Sequence, residues 1–307
     1  MATIRDIAAK AGCSVSTVSR VLNNHPYVAE DKRQRILSII KEMDYVPNAL
    51  AKDLSYGSSK NIGVLIPYAN RPYYDQLTSG ILTAAFEKNY RVTLLPTYYD
   101  IEKEESYLKK LAAKAFDGII IASKRISFEK IEYYQKYAPI VCCEDTGEHP
   151  ISSVSFQRKE SYLHVLQQLK DTGKQKIGLA IGRSEALSPS TQILFAAYRE
   201  IFGEEVEEHF LYRNCTNYFD GIEAGCYFNK LQKVDAVFAN SDDVAAGILL
   251  HVDSSVKVIG EENLLSSRLL NFSTVDHHLE KCGQEAFHLL FKEQNTRVTI
   301  PYHFIER

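Results

Sequence analysis

From Asn61 onward, short apolar runs alternate with amphipathic stretches of helix length, and this pattern leaves few architectures open. "IGVLIP" is followed by Tyr74–Lys88, "RVTLLP" by Glu102–Lys114, and "DGIIIA" by Phe128–Tyr137, before the series closes on "PIVCCE". A second series runs through Arg158–Lys170, "KIGLAI", Thr191–Phe202, a strand near Phe210, Tyr218–Leu231, "DAVFAN", Asp243–His251, "VKVIG" and Leu279–Phe291. Strands alternating with helices of this length imply parallel sheets with helices on both faces. Two such series predict an α/β core of two lobes. A crevice at the carboxyl ends of the strands, between the lobes, is where such a core takes a small molecule.

The first sixty residues do not share this pattern. "TIRDIAAKAG" places Ile4, Ile7, Ala8 and Ala11 at helical spacing and stops at Gly12, a helix terminator. Ser14 is positioned to cap a second helix carrying Val15, Val18, Val21 and Leu22. A third, from about Glu30 to Met43, offers Ile36, Leu37, Ile40 and Met43 to a small core. Two short helices joined by a glycine turn make a helix-turn-helix. With Val18, Val21 and Leu22 inward, Val15, Ser16, Ser19 and Arg20 face out. Small side chains there let a helix backbone approach the major groove, where hydroxyls meet phosphates or base edges and Arg reads guanine. The same pattern also suits the solvated face of an ordinary three-helix unit.

Charge is divided between these parts. Residues 1–60 carry nine Lys/Arg against six Asp/Glu, a surplus of three positive charges, whereas the remainder carries six negative charges in excess. A basic beginning on an acidic body favours an anionic partner for the N-terminus. The six cysteines show no metal-ligand spacing, and Cys142 and Cys143 adjoin within an apolar run, so neither a metal nor a disulfide framework is expected. Without a signal peptide or an apolar stretch near 18 residues, the chain is expected to be cytoplasmic and independent of membranes.

"TIRDIAAKAGCSVSTVSRVLN", "YVPNALAKDL" and "IGVLIP", in this order, resemble the LacI/GalR family of transcription regulators, and the similarity continues in "FANSDDVAAG" and "FSTVDHHLEKCGQEA". The resemblance implies a helix-turn-helix headpiece over 1–46, a hinge helix and linker over 47–60, and a periplasmic-binding-protein-like core over 61–307. Within the core, the expected N-lobe is about 61–156 and the C-lobe about 157–275, with crossovers near 156 and 276. By position, Val15, Ser16 and Arg20 would face bases, while Thr3, Thr17, Asn23, Tyr27 and Arg33 would hold phosphates. In the hinge, Asn48, Ala51 and Leu54 would meet DNA, Leu54 as a wedge in the minor groove. Read without the family, Leu54 is a linker leucine. Ala29 departs from the family's Ser or Thr at the start of the third helix, leaving Glu30 or Asp31 to act through the helix dipole.

Residues that follow strands are the candidates for the effector. They are Asn70, Tyr73, Tyr74, Asp75 and Glu144 or Asp145 from the first lobe, and Ser188, Ser190, Asp242, Glu262 and His277 from the second. Carboxylates, hydroxyls and aromatic faces suit a polyhydroxylated ligand, although each residue taken singly also fits a cap or a solvated loop. Sugar-responsive relatives usually carry an Arg where this chain has Leu194, three residues before a Gly that is Ala197 here. Leu cannot fork across two hydroxyls, so ordinary hexoses are expected to bind poorly. Glu262 stands where the family has a shorter Asp.

The sequence lacks a GxGxxG after its first core strand, a Walker loop and a GxSxG. No enzyme, cofactor or metal is therefore expected. The expectation is a homodimeric, sequence-specific regulator, foremost a repressor of a carbohydrate or related catabolic operon. It would bind palindromic double-stranded DNA and be switched by a small-molecule effector such as a sugar or sugar derivative. The alternative is a two-lobed sugar-binding protein with no DNA role, which would leave the N-terminal helices without a task.

Overall fold

The computed structural model describes residues 2–46, 57–231 and 234–307. The chain separates into two compact units, residues 1–59 and 60–307. Asn48, Ala51 and Leu54 lie outside the described residues.

The first unit holds three helices: α1 (Ile4–Ala11), α2 (Val15–Leu22) and α3 (Glu30–Glu42). Thr3 and Asp6 form a reciprocal capping box on α1, and Gly12 ends it at φ 64, a left-handed conformation that glycine adopts without penalty. Ile7, Val18, Val21 and Ile36 are fully buried in a shared core, with Ala8, Ala11 and Ile39 close behind. Leu37 is 41% exposed, contrary to its expected inward position. The buried stripe of α3 instead runs Ile36, Ile39, Ile40, Met43, the i, i+3, i+4, i+7 spacing of one helical face, and Leu37 falls about 100° away from Ile36. Ala29 leads into α3 with no side-chain cap, and Glu30 and Asp31 occupy the first turn.

The second unit is built on two six-stranded sheets. The first contains β1 (Asn61–Ile66), β2 (Arg91–Pro96), β3 (Gly118–Ile121), β4 (Ile140–Cys142), β5 (Ser152–Phe156) and β11 (Arg297–Ile300), in the order β11-β5-β4-β3-β1-β2, all parallel. The second contains β6 (Ile177–Ala180), β7 (Leu211–Tyr212), β8 (Ala236–Ala239), β9 (Lys257–Glu261), β10 (Ser273–Asp276) and β12 (His303–Ile305), in the order β12-β10-β9-β8-β6-β7. Here β12 runs antiparallel to β10, a departure from the all-parallel expectation at one edge. Strand β10 is the one that His277 was expected to follow, but β5, β11 and β12 have no counterpart in the sequence reading. They carry Ser, Thr and Arg between apolar residues, so their hydropathy is weak.

The helices of the first lobe are α4 (Pro72–Glu87), α5 (Ile101–Ala112) and α6 (Phe128–Gln135). Those of the second are α7 (Arg158–Asp171), α8 (Pro189–Phe202), α9 (Tyr218–Leu231), α10 (Asp242–Leu249) and α11 (Leu265–Leu270). The chain passes from the first sheet to the second after β5, and returns through α12 (Leu279–Leu289), which packs on α4. Between β11 and β12, at Pro301–Tyr302, it crosses once more. The return helix sits backbone to backbone with α4. A Cβ on Gly80 would run into the Glu280 carbonyl, and one on Gly283 into that of Leu77, so glycine is needed at both places. Each lobe keeps its own core, around Val64, Ile120 and Phe287 in one and Leu179, Phe238 and Ile259 in the other.

Candidate functional site

In the first unit α2 presents the polar face that its sequence implies. Ser14 accepts from the Thr17 amide at 3.2 Å and shares hydrogens with the Ser16 and Thr17 hydroxyls at 2.8 and 2.9 Å. This chain of small hydroxyls fixes the first turn without bulk. Val15, Ser16 and Arg20 are exposed, and Arg20 makes no ion pair among the described residues. Tyr27 is 85% exposed and leans on His25, ring centroids 5.7 Å apart. Thr17 and Asn23 are half-buried, Asn23 closing α2 through its backbone amide. Thr3 donates its hydroxyl to Asp6 at 2.8 Å, and those hydrogen bonds hold the Asp6 carboxyl below its usual range. Arg33 is bound internally: it donates to the His25 carbonyl at 2.5 Å and lies 3.7 Å from Glu30. It steadies the α2–α3 connection whatever else it touches.

In the second unit the strand ends of both sheets open onto a cavity of about 370 Å³. Asn70, Tyr73, Tyr74 and Glu144 line it from the first lobe, and Ser190 and Glu262 from the second. Tyr74 is held by a hydroxyl chain, 3.2 Å to Tyr99, which is in turn 3.1 Å from Ser123. Tyr99 follows β2 at φ 59, which swings its ring over the cleft.

Four expected residues do not line the cavity. Asp75 is one position past Tyr74, about 100° around α4, and so lies on the outer face with Thr78, Ser79 and Leu82. Ser188 is 4% exposed and caps α8, accepting from the Thr191 amide. Asp242 is fully buried beneath the floor, where it accepts from Thr274 Oγ1 at 2.6 Å and the Leu264 amide at 2.7 Å. Burial pushes its carboxyl up to about 7. His277, 1% exposed, stands behind the wall and meets Glu261 through Nε2 at 2.9 Å. Burial lowers its pKa, so the neutral ring is favoured.

The sequence reading missed the cleft's cations. Arg158, just after β5, lies 3.1 Å from both Glu261 and Tyr162. Arg183, after β6, stacks 4.2 Å over the Tyr99 ring of the opposite lobe. Arg71 crosses between lobes too, donating to the Thr216 carbonyl at 2.7 Å and hydroxyl at 3.2 Å. Asp145, Asn217, Asn240 and Asp243 complete the polar lining. Asn240 and Asp243 flank "SD" after β8, so strand-end position was the available signal; for Arg158 there was none, because β5 itself was unread. Leu194 and Ala197 are buried in the second lobe's core, and their neighbour Ile193 forms the wall. Beyond Ser190 in its first turn, the side of α8 facing the cavity is therefore apolar.

Residues 3–48 match the model for bacterial regulatory proteins of the lacI family, and residues 59–307 that for periplasmic binding proteins and the sugar-binding domain of the LacI family. Catabolite control protein B of Bacillus subtilis is 40% identical over 99% of both chains. The ribose operon repressor of Halalkalibacterium halodurans is 28% identical over 99% of this chain and 94% of its own. Among solved structures, the lac repressor dimer bound to operator and the anti-inducer ONPF superposes with a TM-score of 0.82. It covers 100% of this chain and 98% of that one at 19% identity, a likeness of fold.

Proposed function

Because the chain belongs to the LacI family of bacterial regulatory proteins and is a transcription regulator rather than an enzyme, we propose that it is a dimeric repressor of a carbohydrate or related catabolic operon. In this reading Val15, Ser16 and Arg20 read bases in the major groove of a palindromic operator. Thr3, Thr17, Asn23, Tyr27 and Arg33 hold phosphates, and Asn48, Ala51 and Leu54 belong to the hinge. The observation that carries the reading is the exposed face of α2. It joins small hydroxyls, an apolar Val15 that suits a thymine methyl, and an Arg20 with no ion pair among the described residues. Among the described residues no helix is long and apolar enough to cross a membrane, and the site of action proposed is the cytoplasm, where the DNA lies.

The effector enters the cleft lined by Asn70, Tyr73, Tyr74, Glu144, Ser190 and Glu262. The interlobe contacts Arg71–Thr216 and Arg183–Tyr99 belong to one arrangement of the lobes. A ligand that prefers this arrangement shifts the population able to place two headpieces on one operator. A small-molecule binder with no DNA role would leave the α2 face without work.

Arg20→Ala tests the base-reading role. It should weaken operator binding by about 1–3 kcal/mol and relax discrimination at one base pair, measured by fluorescence anisotropy on operator and scrambled duplexes. Equal losses on both duplexes would assign Arg20 to phosphate contact instead.

A further inference from the structure

The charges lining the cleft are unequally satisfied. Each guanidinium has a partner, though Arg71 Nε is left without one: Arg71 holds Thr216, Arg158 holds Glu261 and Tyr162, and Arg183 covers Tyr99. Two carboxylates are also held, Asp145 by the Gly147 amide at 3.0 Å and Asp243 by the Ser266 hydroxyl at 3.1 Å. Glu144 and Glu262 differ. Glu144 Oε1 is closed off from solvent and accepts no hydrogen bond. Its nearest ammonium, Lys124, stands 3.8 Å away and donates to the Ile126 carbonyl at 3.0 Å. Glu262 is 6% exposed, and no described residue donates to its carboxyl group.

Glu262 is also held in an unusual backbone conformation. Its φ of 95 is one that side-chain-bearing residues rarely adopt, and its amide is pinned to the Val275 carbonyl at 2.7 Å. Strain of this kind persists where surrounding structure enforces it, and it gathers at binding sites. The neighbours of Glu262 are anionic: Asp242, Glu261 and Asp243 bear on it, with Arg158 opposing. Glu144 by contrast feels Lys124 and Arg183 ahead of Glu104 and Asp145. The second-lobe end of the cleft is thus the more negative one.

Resting on the reading of the cleft as the effector site, we propose that its ligand is a polyhydroxylated amine, such as an amino sugar. Its ammonium pairs with Glu262, and a hydroxyl or second amine donates to Glu144. An ammonium brings three donors and a full charge to a carboxylate that has neither. A neutral sugar brings no positive charge to draw the proton from Glu262, and a phosphate placed at Glu262 would meet like charge from that residue and its acidic neighbours. Ile193 and the tyrosines leave room for the carbon faces of the ring.

Acidity follows from the same geometry. Burial raises both carboxyl groups, so the empty cleft holds their protons more tightly than water does. Only the ionised form pairs with an ammonium. Binding therefore releases a proton and tightens as pH rises out of the ordinary carboxylate range.

Calorimetry on the full chain with D-glucosamine, D-glucose, N-acetylglucosamine and glucose 6-phosphate tests this. Glucosamine should bind at least about tenfold more tightly than the other three. Its affinity should increase as pH rises above the ordinary carboxylate range, over values at which the amine stays protonated. Glu262→Gln, which keeps the shape and removes the buried charge, should erase the lead of the amine; Glu144→Gln should weaken all four ligands without reordering them. The proposal is overturned by a neutral or phosphorylated sugar equalling the amine, by amine binding indifferent to Glu262→Gln, or by no glucosamine binding at all. The reading of the cleft falls separately, if whatever sugar binds keeps its affinity in Arg183→Ala and Asn240→Ala.

Discussion

Asp242 opens α10 with one carboxyl oxygen bound to Thr274 Oγ1 and the other to the Leu264 amide, and it has no access to solvent. Desolvation outweighs those hydrogen bonds and raises its pKa from the ordinary carboxylate range to about 7. Between these two values the folded chain binds the proton more tightly than the unfolded chain. Stability therefore falls as pH rises from about 4 to about 7 and is level above that, by as much as roughly 4 kcal/mol. Asp242→Asn can keep both contacts, with its amide nitrogen donating to Thr274. It should remove this dependence and stabilise the second lobe by about 1–4 kcal/mol at pH 8, seen as a urea midpoint that no longer moves with pH. A variant that loses stability equally at every pH would show that the charged form is needed. Asp242 and Asp243 are adjacent in one strand-end turn, and sequence position pointed to both alike. Which of them reaches the cavity depends on the direction in which α10 starts.

At the scale of elements, α3 begins on Ala29 with no side-chain oxygen for its first amides. Ala29→Ser should supply that acceptor and stabilise the helix by about 0.5–1.5 kcal/mol. Slower amide hydrogen exchange over residues 30–33 of the full chain would register the gain, and unchanged exchange would mean that Glu30 and Asp31 already suffice. The amphipathic helices were readable because burial follows a 3.6-residue period, and α2 kept the inward and outward faces assigned to it. Strands β5, β11 and β12 were not readable. β11 and β12 place Arg, Thr and His among their apolar residues and β5 carries three serines, so pairing with neighbours rather than hydropathy makes them strands.

For the whole molecule, the outer face of α4 and the adjoining edge of the first sheet leave large apolar groups in water. Phe86 is 83% exposed, Leu82 49% and Leu94 41%. Leu82 and Phe86 are one helical turn apart, with Asp75, Thr78 and Ser79 further along the same face. A contiguous exposed apolar stripe marks a protein interface, and we assign it to the partner protomer of the proposed dimer. Phe86→Arg alters an exposed side chain and should spare the fold. It should shift sedimentation from dimer toward monomer and cost operator affinity at least about a hundredfold, because two linked headpieces bind far more tightly than one. An intact dimer carrying Phe86→Arg would place the interface elsewhere.

The sequence by itself determined the existence of three short helices with a polar outward face, the two series of strands and helices, and the strand ends at which a cleft would form. These follow from periodicity and from turn and cap residues, which act within a few positions along the chain. The tertiary structure decided which side chains at those ends share the cavity. It moved Asp75, Ser188, Asp242 and His277 away and brought in Arg71, Arg158 and Arg183. That selection depends on sheet register, on the close approach of α4 and α12 at Gly80 and Gly283, and on a thrice-crossing chain. All of these are contacts between residues far apart in sequence, which no local pattern encodes.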